Sequence, residues 1–456
     1  MLIALFVSFN VGFAQQDEEC MNNLSIFDSY YKSKKYDDAY GPWKTVREKC
    51  PKFNRAIYAY GDNILEHKIE NSTGAEQVAF IKDLMLLFDQ SHEHFSSNYS
   101  LGEMLVKKAQ LAYKYKKELN KTDQQVYDMF DEAYRKDSKN FDSTIGLYTY
   151  FSIAVDIYDA GAKNPDDAQK LFDKYDDVME LIENVEENYI QKLNKLVEKE
   201  EAGTALSSKE QKYKNNYEAN LEAFEKVKSS MDSKLGGRAN CDVLVPLYEK
   251  YFEEKKNDAE WLQRAMNKMG EKECTDDPLF EKLVEQKNSL EPDAKTAYYL
   301  GVLKEKQGKM AEAEKYYSQA LELETDPLQK WKLVMRVAEK SYKRGSFAKA
   351  RQQYMEALKL NPSSGVPHLR IAAMYAKSAN SCGDTNFNKR AVFWLAADEA
   401  EKAGRVDGRL KSTATKTAAS YRGSAPSKAD IFTEGNAGQS LKIGCWIGRT
   451  ITVPNI

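Results

Sequence analysis

The chain has 456 residues, of which 30% are charged, 42% hydrophobic and 11% aromatic, and its formal net charge is −3. Such a length exceeds what one hydrophobic core ordinarily supports, and so much apolar matter excludes a disordered chain. The balanced charge excludes a strong overall field for nucleic acid or an anionic membrane, while 11 prolines and 23 glycines favour helices over a turn-rich β architecture.

From the N-terminus, residues 1–14 carry no charge and hold the apolar run Leu2-Ile3-Ala4-Leu5-Phe6-Val7, then Val11-Gly12-Phe13-Ala14. Acidic residues follow, and the segment reads as a secretory signal peptide cut after Ala14, too short to span a bilayer stably. The Lys or Arg that usually precedes the apolar run is missing. A late start codon, an atypical signal and the apolar N-terminus of a cytosolic chain are therefore all open readings. Cys20 follows Glu18-Glu19, unlike a lipoprotein acylation site. No later stretch is apolar enough to cross a membrane.

Residues 15–162 read as loosely repeated helices. Ile26, Phe27 and Tyr30 fall on one helical face, and Ala39, Trp43, Val46 and Pro51 follow with the spacing of a repeat. His92 and His94 form the one histidine cluster, but on a helix residues two apart point away from each other, so a solvated pair and no metal site is expected. In residues 163–237, Val178, Leu181, Val185, Tyr189, Leu193 and Leu196 recur at three- and four-residue steps. A second such run, Tyr213, Tyr217, Leu221, Phe224, Val227 and Met231, follows after Ser208. This predicts a long helical hairpin, either projecting as an antiparallel coiled coil or packed flat on the rest. Residues 238–290 return to the hairpin pattern with Leu247, Phe252, Ala259 and Met266.

Self-similarity is strongest in residues 291–404. From Ala294 the chain reads AKTAYYLGVLKEKQGKMAEAEKYYSQALELETDP, with Leu300-Gly301 in a first helix, then Gly308, Ala313, Tyr317 and Ala320. From Trp331 it reads WKLVMRVAEKSYKRGSFAKARQQYMEALKLNP, placing Gly345, Ala350, Tyr354, Ala357 and Pro362 to match. Small residues at Gly301 or Ala338, and at Ala313 or Ala350, let helices approach closely, and the proline ends the second helix. A third unit keeps Ile371, Ala372 and Tyr375, has an elongated turn around Cys382, and resumes with Phe393-Trp394-Leu395-Ala396, as a capping unit does. These tandem segments resemble the tetratricopeptide repeat. The expected fold is all-α, a TPR-like helical-hairpin superhelix (α-solenoid) with a long helical hairpin insertion and a small C-terminal β-hairpin.

That β-hairpin is read from the tail, residues 405–456. Ser, Thr and Ala replace the amphipathic pattern, Pro426 breaks any helix, and Leu441, Ile443, Cys445, Ile447, Ile451 and Val453 alternate around Gly448. An isolated hairpin is marginal in water, so this one is expected to dock on the array. PSKADIFTEGNAGQSLKIGCWIGRTITV, following AVFWLAADEAEKA, resembles the ending of secreted tetratricopeptide proteins of Bacteroidota, a family without an assigned reaction. The resemblance implies an exported protein, periplasmic or outer-membrane-associated. Gly444-Cys445-Trp446 departs from that family, which more often has glycines there and no cysteine.

Six cysteines and no Cys-x-x-Cys point to disulfides over metal or redox motifs in an exported chain, with buried reduced cysteines as the alternative. Cys20 and Cys50, like Cys241 and Cys274, open the first helix and close the second of a hairpin, where antiparallel helices bring the ends together. Cys382 with Cys445 is the pair left over.

No HExxH, phosphate-binding glycine loop, GxSxG or GxGxxG followed by a helix occurs. The expectation is a protein without catalytic residues, cofactor or metal. It is expected to bind protein partners of the cell envelope, with no nucleic acid, since the basic tail lacks an aromatic-basic platform. The array's concave face would grip the partner through Lys295, Tyr298, Glu305 and Lys306 of one first helix, with Val302. Lys332, Met335, Glu339, Tyr342 and Lys343 of the next extend it, with Leu369 and Lys377 beyond. Some tetratricopeptide co-chaperones clamp a C-terminal carboxylate with Lys, Asn and Arg. Here Tyr298, Val302 and Val366 replace members of that set, so the clamp is not expected. The alternative reading is a ligand-binding module for glycan or cell-wall peptide in a tyrosine-rich groove.

Overall fold

The computed structural model describes residues 8–455, so the apolar run from Leu2 to Val7 of the expected signal peptide lies outside the described residues. The described chain is all-α, with one small antiparallel sheet. In order the helices are α1 (Ser8–Lys32), α2 (Tyr36–Lys49), α3 (Ala56–Glu70), α4 (Gly74–Phe95), α5 (Leu101–Lys114), α6 (Asp123–Asp137) and α7 (Thr144–Ala160). The long helices α8 (Pro165–Glu201) and α9 (Ser208–Leu235) follow. Then come α10 (Cys241–Lys255), α11 (Ala259–Glu271), α12 (Pro278–Leu290), α13 (Ala294–Lys306), α14 (Met310–Leu323), α15 (Pro327–Lys343) and α16 (Phe347–Leu360). The chain ends with α17 (Val366–Ser378), α18 (Asn386–Val406), α19 (Lys411–Ser424), α20 (Lys428–Glu434), β1 (Ser440–Ile443) and β2 (Arg449–Thr452). Neighbouring helices pack pairwise as tetratricopeptide-like hairpins, most extensively α18 with α19, α13 with α14, α17 with α18, α1 with α2 and α15 with α16.

The chain folds into two compact units: residues up to Ile182 with Val227–Leu235, and Glu183–Lys226 with everything from Gly236 onward. In the first unit, Trp43 donates its indole N–H to the Ile57 carbonyl at 2.7 Å within a core of Phe27, Val46, Ile64 and Leu84. Of the α1 face expected from sequence, only Phe27 is buried; Ile26 and Tyr30 are exposed. Lys174 is buried with its ammonium 4.7 Å from the rings of both Tyr134 and Tyr150, and Asp131 and Asp177 accept its hydrogen bonds. A buried charge needs such pairing to be tolerated. His92 and His94 are half-buried, not solvated: His92 Nδ1 lies 2.9 Å from the Tyr99 carbonyl, and the His94 ring lies 6.0 Å from that of Tyr58.

One turn recurs in both units. Gly308 and Gly345 hold φ of +74° and +76°, and the next residue's N–H returns to a carbonyl five residues back, Lys309 to Lys304 and Ser346 to Ser341. This closing of the helix C-terminus through a left-handed residue favours glycine. Lys34, φ +57°, makes the same turn between α1 and α2, with Lys35 N–H donating to the Tyr30 carbonyl. Ala39, Trp43 and Val46 then stand at the offsets that Ala313, Tyr317 and Ala320 hold from Gly308. All six are buried, so α1–α2 is built as the later repeats are, with lysine where they have glycine.

Within the second unit the long hairpin does not project. Residues 183–201 of α8 and 208–226 of α9 pair through Lys199–Glu210 at 2.7 Å and Lys214–Glu200 at 2.6 Å. Together they lie against the repeats: Glu183 pairs with Lys332 at 2.9 Å, Asn194 accepts from the Ser363 N–H, and Glu218 accepts from the Gly408 N–H. Leu193, Val197 and Leu221 pack with Val406.

The tail is more helical than its composition suggests. Residues 411–424 form α19, which packs on α18 through Ala418 against Ala397 and Ala400. Alanine seams of this kind bury little bulk and leave no strong apolar periodicity. The β-hairpin pairs Leu441 with Ile451 and Ile443 with Arg449. It docks by inserting Ile443, Ile447 and Val453 into the core formed by Tyr354, Ile371, Tyr375 and Val392. The structure contains three disulfides, Cys20–Cys50, Cys241–Cys274 and Cys382–Cys445, with Cα separations of 6.4, 5.4 and 5.1 Å. The second staples the open end of α10–α11, as expected; the first ties the end of α2 to the middle of α1, which begins at Ser8, so Cys20 does not open that helix as the sequence reading had it; the third ties the β-hairpin to the turn after α17.

Candidate functional site

The first helices of the well-formed repeats, α13, α15 and α17, carry the candidate residues, and the structure sorts these into three groups. Tyr298 and Val302 are buried and do not line an open face, a correction to the sequence reading. Tyr298 packs against Tyr299 and Tyr317 at 5.3 and 5.6 Å, and the Arg336 guanidinium lies 5.9 Å over its ring. The helical wheel places Tyr298 inward correctly, but the neighbouring hairpin closes over it.

A second group ties repeat to repeat. Glu305 of α13 accepts from Lys340 of α15 at 2.7 Å, from Arg344 just beyond the end of α15 at 3.2 Å, and from the Tyr317 hydroxyl at 2.6 Å. Burial acts to raise the Glu305 carboxyl, but hydrogen bonds from Lys340 and Tyr317 and the two nearby cations hold it below the usual carboxylate range. Burial and the Glu305 bond together push the Tyr317 hydroxyl up. The next repeat repeats the device: Glu339 accepts from the Tyr354 hydroxyl at 2.9 Å and pairs with Arg370 of α17 at 3.0 Å. The tyrosine that packs each second helix is therefore anchored by a carboxylate of its own first helix, which a cation of the next repeat neutralises. At the other end, Lys332 pairs with Glu183 of α8, and Lys295 adds its charge there. Burial acts to raise the Glu183 carboxyl, but these two lysines lower it. That stretch of the face is covered by the chain's own long hairpin.

The third group stays accessible. Lys306 is exposed and reaches Asp276 at 2.5 Å; Lys343 and Lys377 are exposed; Met335 and Tyr342 are half-buried. Lys377 donates to the Tyr342 hydroxyl at 2.7 Å and stands 4.6 Å over its ring, which also carries the Arg370 guanidinium at 5.4 Å.

From Tyr342 the aromatic row continues into the docked tail, which sequence reasoning did not place here. Phe347 lies 5.9 Å from Tyr342, Trp446 lies 5.8 Å from Phe347, and Arg351 stands 5.4 Å over Trp446. Trp446 donates to the Ser378 hydroxyl at 2.9 Å, and Arg351 to the Ile447 carbonyl at 2.7 Å. Contacts between residues 68 and 96 positions apart leave no local signal. A lone tryptophan in a glycine-rich strand turn was the one hint available.

A charged pair absent from the sequence reading lies between α17 and α18: His368 Nδ1 is 2.9 Å from a Glu399 carboxylate oxygen, and Lys402 donates to the other at 2.8 Å. Burial acts to raise the Glu399 carboxyl, but His368 and Lys402 bring it down to about 2. Among the described residues no three His, Cys, Asp or Glu side chains are grouped to hold a metal ion, and no helix is long and apolar enough to cross a membrane.

No family model and no curated protein matches the chain. Several solved structures are similar to it. A tetratricopeptide repeat protein from Parabacteroides merdae is 10% identical, over 69% of this chain and 97% of that one, with a TM-score of 0.25. Human IFIT1, in a dimer with PPP-AAAA, is 14% identical over 82% of this chain and 77% of that one, with a TM-score of 0.31. Yeast Tom70 is 12% identical over 92% and 94%, with a TM-score of 0.29. At these identities and scores the likenesses decide nothing about function.

Proposed function

We propose that this protein is a non-catalytic scaffold that binds protein partners in the bacterial cell envelope, in the periplasm or on an outer-membrane complex. The observation that carries this reading is the Glu305 and Glu339 device. Charged side chains of consecutive first helices clamp repeat to repeat, which makes the array a preorganised surface of parallel helices. A rigid surface lowers the ordering cost of binding an extended or helical partner. The accessible side chains, Lys306, Met335, Tyr342, Lys343 and Lys377, mix charge with apolar area, as partner-binding surfaces do.

Export is supported by the uncharged apolar start and by three disulfides, bonds that persist in oxidising compartments. The C-terminal sequence likeness to secreted tetratricopeptide proteins of Bacteroidota points the same way. The glycan or cell-wall peptide reading loses ground, because Tyr298, Tyr317, Tyr354 and Tyr375 are buried and only Tyr342 of the first-helix tyrosines read as groove-lining stays accessible. The test is crosslinking in intact cells followed by mass spectrometry. A stoichiometric envelope protein crosslinked through α15 or α17 is the expected result. Crosslinking that recovers no protein, together with a thermal shift given by muropeptides, would overturn the reading.

A further inference from the structure

The three disulfides meet solvent differently. Cys20, Cys274 and Cys382 are buried and Cys50 and Cys241 half-buried, while Cys445 is exposed. Cys445 lies in the turn of the β-hairpin, residues 444–448, whose two glycines are exposed as well. Its φ is +51°, a left-handed conformation that is disfavoured for any residue with a Cβ. The nearby charge differs too. Within five residues on either side, Cys445 has Lys442 and Arg449 and no carboxylate, whereas Glu19 adjoins Cys20, Asp242 adjoins Cys241 and Glu273 adjoins Cys274. The bonds also hold unlike things. Cys20–Cys50 and Cys241–Cys274 join helices adjacent in the chain, across 30 and 33 residues. Cys382–Cys445 spans 63 residues and is the covalent hold on a two-stranded sheet, a structure that is marginal in water by itself.

We infer that Cys382–Cys445 is a thiol–disulfide exchange site whose substrate is the dithiol of another protein, and that exchange unseats the β-hairpin. The inference goes beyond the scaffold reading and does not depend on it. A thiolate attacks in line with the bond it breaks. Attack on the Cys445 sulfur therefore comes from the side away from Cys382, across the turn, where Gly444 and Gly448 put no side chain in its path. Attack on Cys382 would come from within the core that residue joins. The incoming thiolate's electron pair forms the new bond to Cys445 Sγ. The electron pair of the old bond leaves on Cys382 Sγ, which takes a proton from water; the Ser381 hydroxyl, 4.0 Å away, can donate a hydrogen bond to it. The second thiolate of the dithiol then attacks its own neighbour's sulfur in the mixed disulfide, and Cys445 departs as a thiolate. Two electrons reduce the cystine, and the dithiol becomes a disulfide. Lys442 and Arg449 favour the approach of an anionic nucleophile. With the bond open, Cys445 can leave its left-handed conformation. The hairpin then depends on Ile443, Ile447 and Val453, with the hydrogen bonds from Trp446 to Ser378 and from Arg351 to the Ile447 carbonyl. Unseating takes Trp446 away from Phe347 and shortens the aromatic row that begins at Tyr342.

The test treats the oxidised chain, without denaturant, with two small thiols in place of the protein dithiol. Reduced glutathione traps the first step, and differential alkylation with peptide mass spectrometry reads each cysteine. Glutathione on Cys445 with Cys382 free is expected, forming about tenfold faster than any adduct at the other two bonds. Dithiothreitol completes the exchange, because its second thiol releases the mixed disulfide. Hydrogen exchange in residues 440–453 should then rise in step with the fraction of Cys445 reduced, while α10 and α11 keep their protection. The double change Cys382→Ser and Cys445→Ser should leave that segment unresponsive to either thiol. Three results would overturn the exchange site: reaction first at Cys20–Cys50 or Cys241–Cys274, equal rates at all three bonds, or no reaction until denaturant is added. Glutathione found on Cys382 instead would overturn the assigned direction of attack. Undiminished protection of residues 440–453 after Cys382–Cys445 is reduced would overturn the unseating.

Discussion

Replacing Gly301 with Ala adds one methyl group at the closest helix crossing in the best-formed repeat. An ideal Cβ there would stand 2.6 Å from Tyr317 Cε1, 2.7 Å from Cδ1 and 3.2 Å from the Ala313 carbonyl oxygen. Alanine gains about 1 kcal/mol over glycine in a helix interior, so the mutation starts with a favourable term. Overpacking a fixed ring costs about 1–3 kcal/mol, and losing the Tyr317–Glu305 bond if the ring swings away costs about 1.5–3 kcal/mol. Tyr317 is 3% exposed and its hydroxyl is 2.6 Å from Glu305, so the ring has little room to yield. The net expectation is a loss of about 1–2 kcal/mol. The matching position in the next repeat, Ala338, already carries a methyl, and there Tyr354 reaches Glu339, a different turn of the first helix. Ala338→Gly should therefore also destabilise, by about 1 kcal/mol, through helix propensity alone. Because a chain of several packed units need not unfold in one step, native-state hydrogen exchange of α13–α14 and α15–α16 amides is the suitable measurement. Faster exchange confined to the mutated hairpin is expected. Unchanged or slower exchange in Gly301→Ala would show that the ring yields, and would refute the close-approach explanation of this glycine.

Lys34→Gly should stabilise the first hairpin by a few tenths to about 1 kcal/mol, since a left-handed lysine costs about 1–2 kcal/mol and glycine returns part of that as unfolded-state freedom; slower exchange in α1–α2 checks it, and faster exchange would contradict it. Glu399 has a folded pKa of about 2 against an ordinary 4.5, so its contribution is present above pH 4.5 and is lost as the pH falls towards 2. The stability gap between the natural chain and Glu399→Gln, about 3 kcal/mol at most, should close over that window in pH-dependent exchange of α17 and α18, and a gap independent of pH would argue that the His368 and Lys402 bonds do not hold the carboxylate charged. The double change Cys382→Ser and Cys445→Ser should speed exchange in residues 440–453 while leaving α13 and α14 unaltered, because Cys382–Cys445 is the covalent tie of the β-hairpin; protection undiminished there would mean that Ile443, Ile447, Val453 and Arg351 suffice.

Much of the fold was legible along the chain. The recurrence of small residue, turn glycine, alanine and tyrosine in residues 294–364 is local, because each repeat is one hairpin whose packing rules act within about thirty-four residues. The Cys241–Cys274 staple followed from the same geometry, since antiparallel helices of similar length return their ends to one another; Cys20–Cys50 pairs as expected, but α1 runs on past Cys20, so its bond does not join two helix ends. Where packing depends on bulk, as at Trp43 or Tyr354, the sequence declares it; where it depends on closeness, as in the alanine seam of α18 and α19, composition resembled a loose tail and the helix was missed. The accessible face was the least legible. Helical projection identified which residues lie on the first helices, but whether each is open depends on chain far away: Tyr298 is closed over by its neighbours, Lys332 is engaged by Glu183, and Tyr342 is extended into a strip by Trp446. Periodicity alone thus determined that this chain stacks helical hairpins and which side chains hold each one together. Only tertiary structure decided which charges are answered, because neutralising a cation is a contact between separate elements, from Glu305 with Lys340 of the next repeat to Glu183 with Lys332 far along the chain.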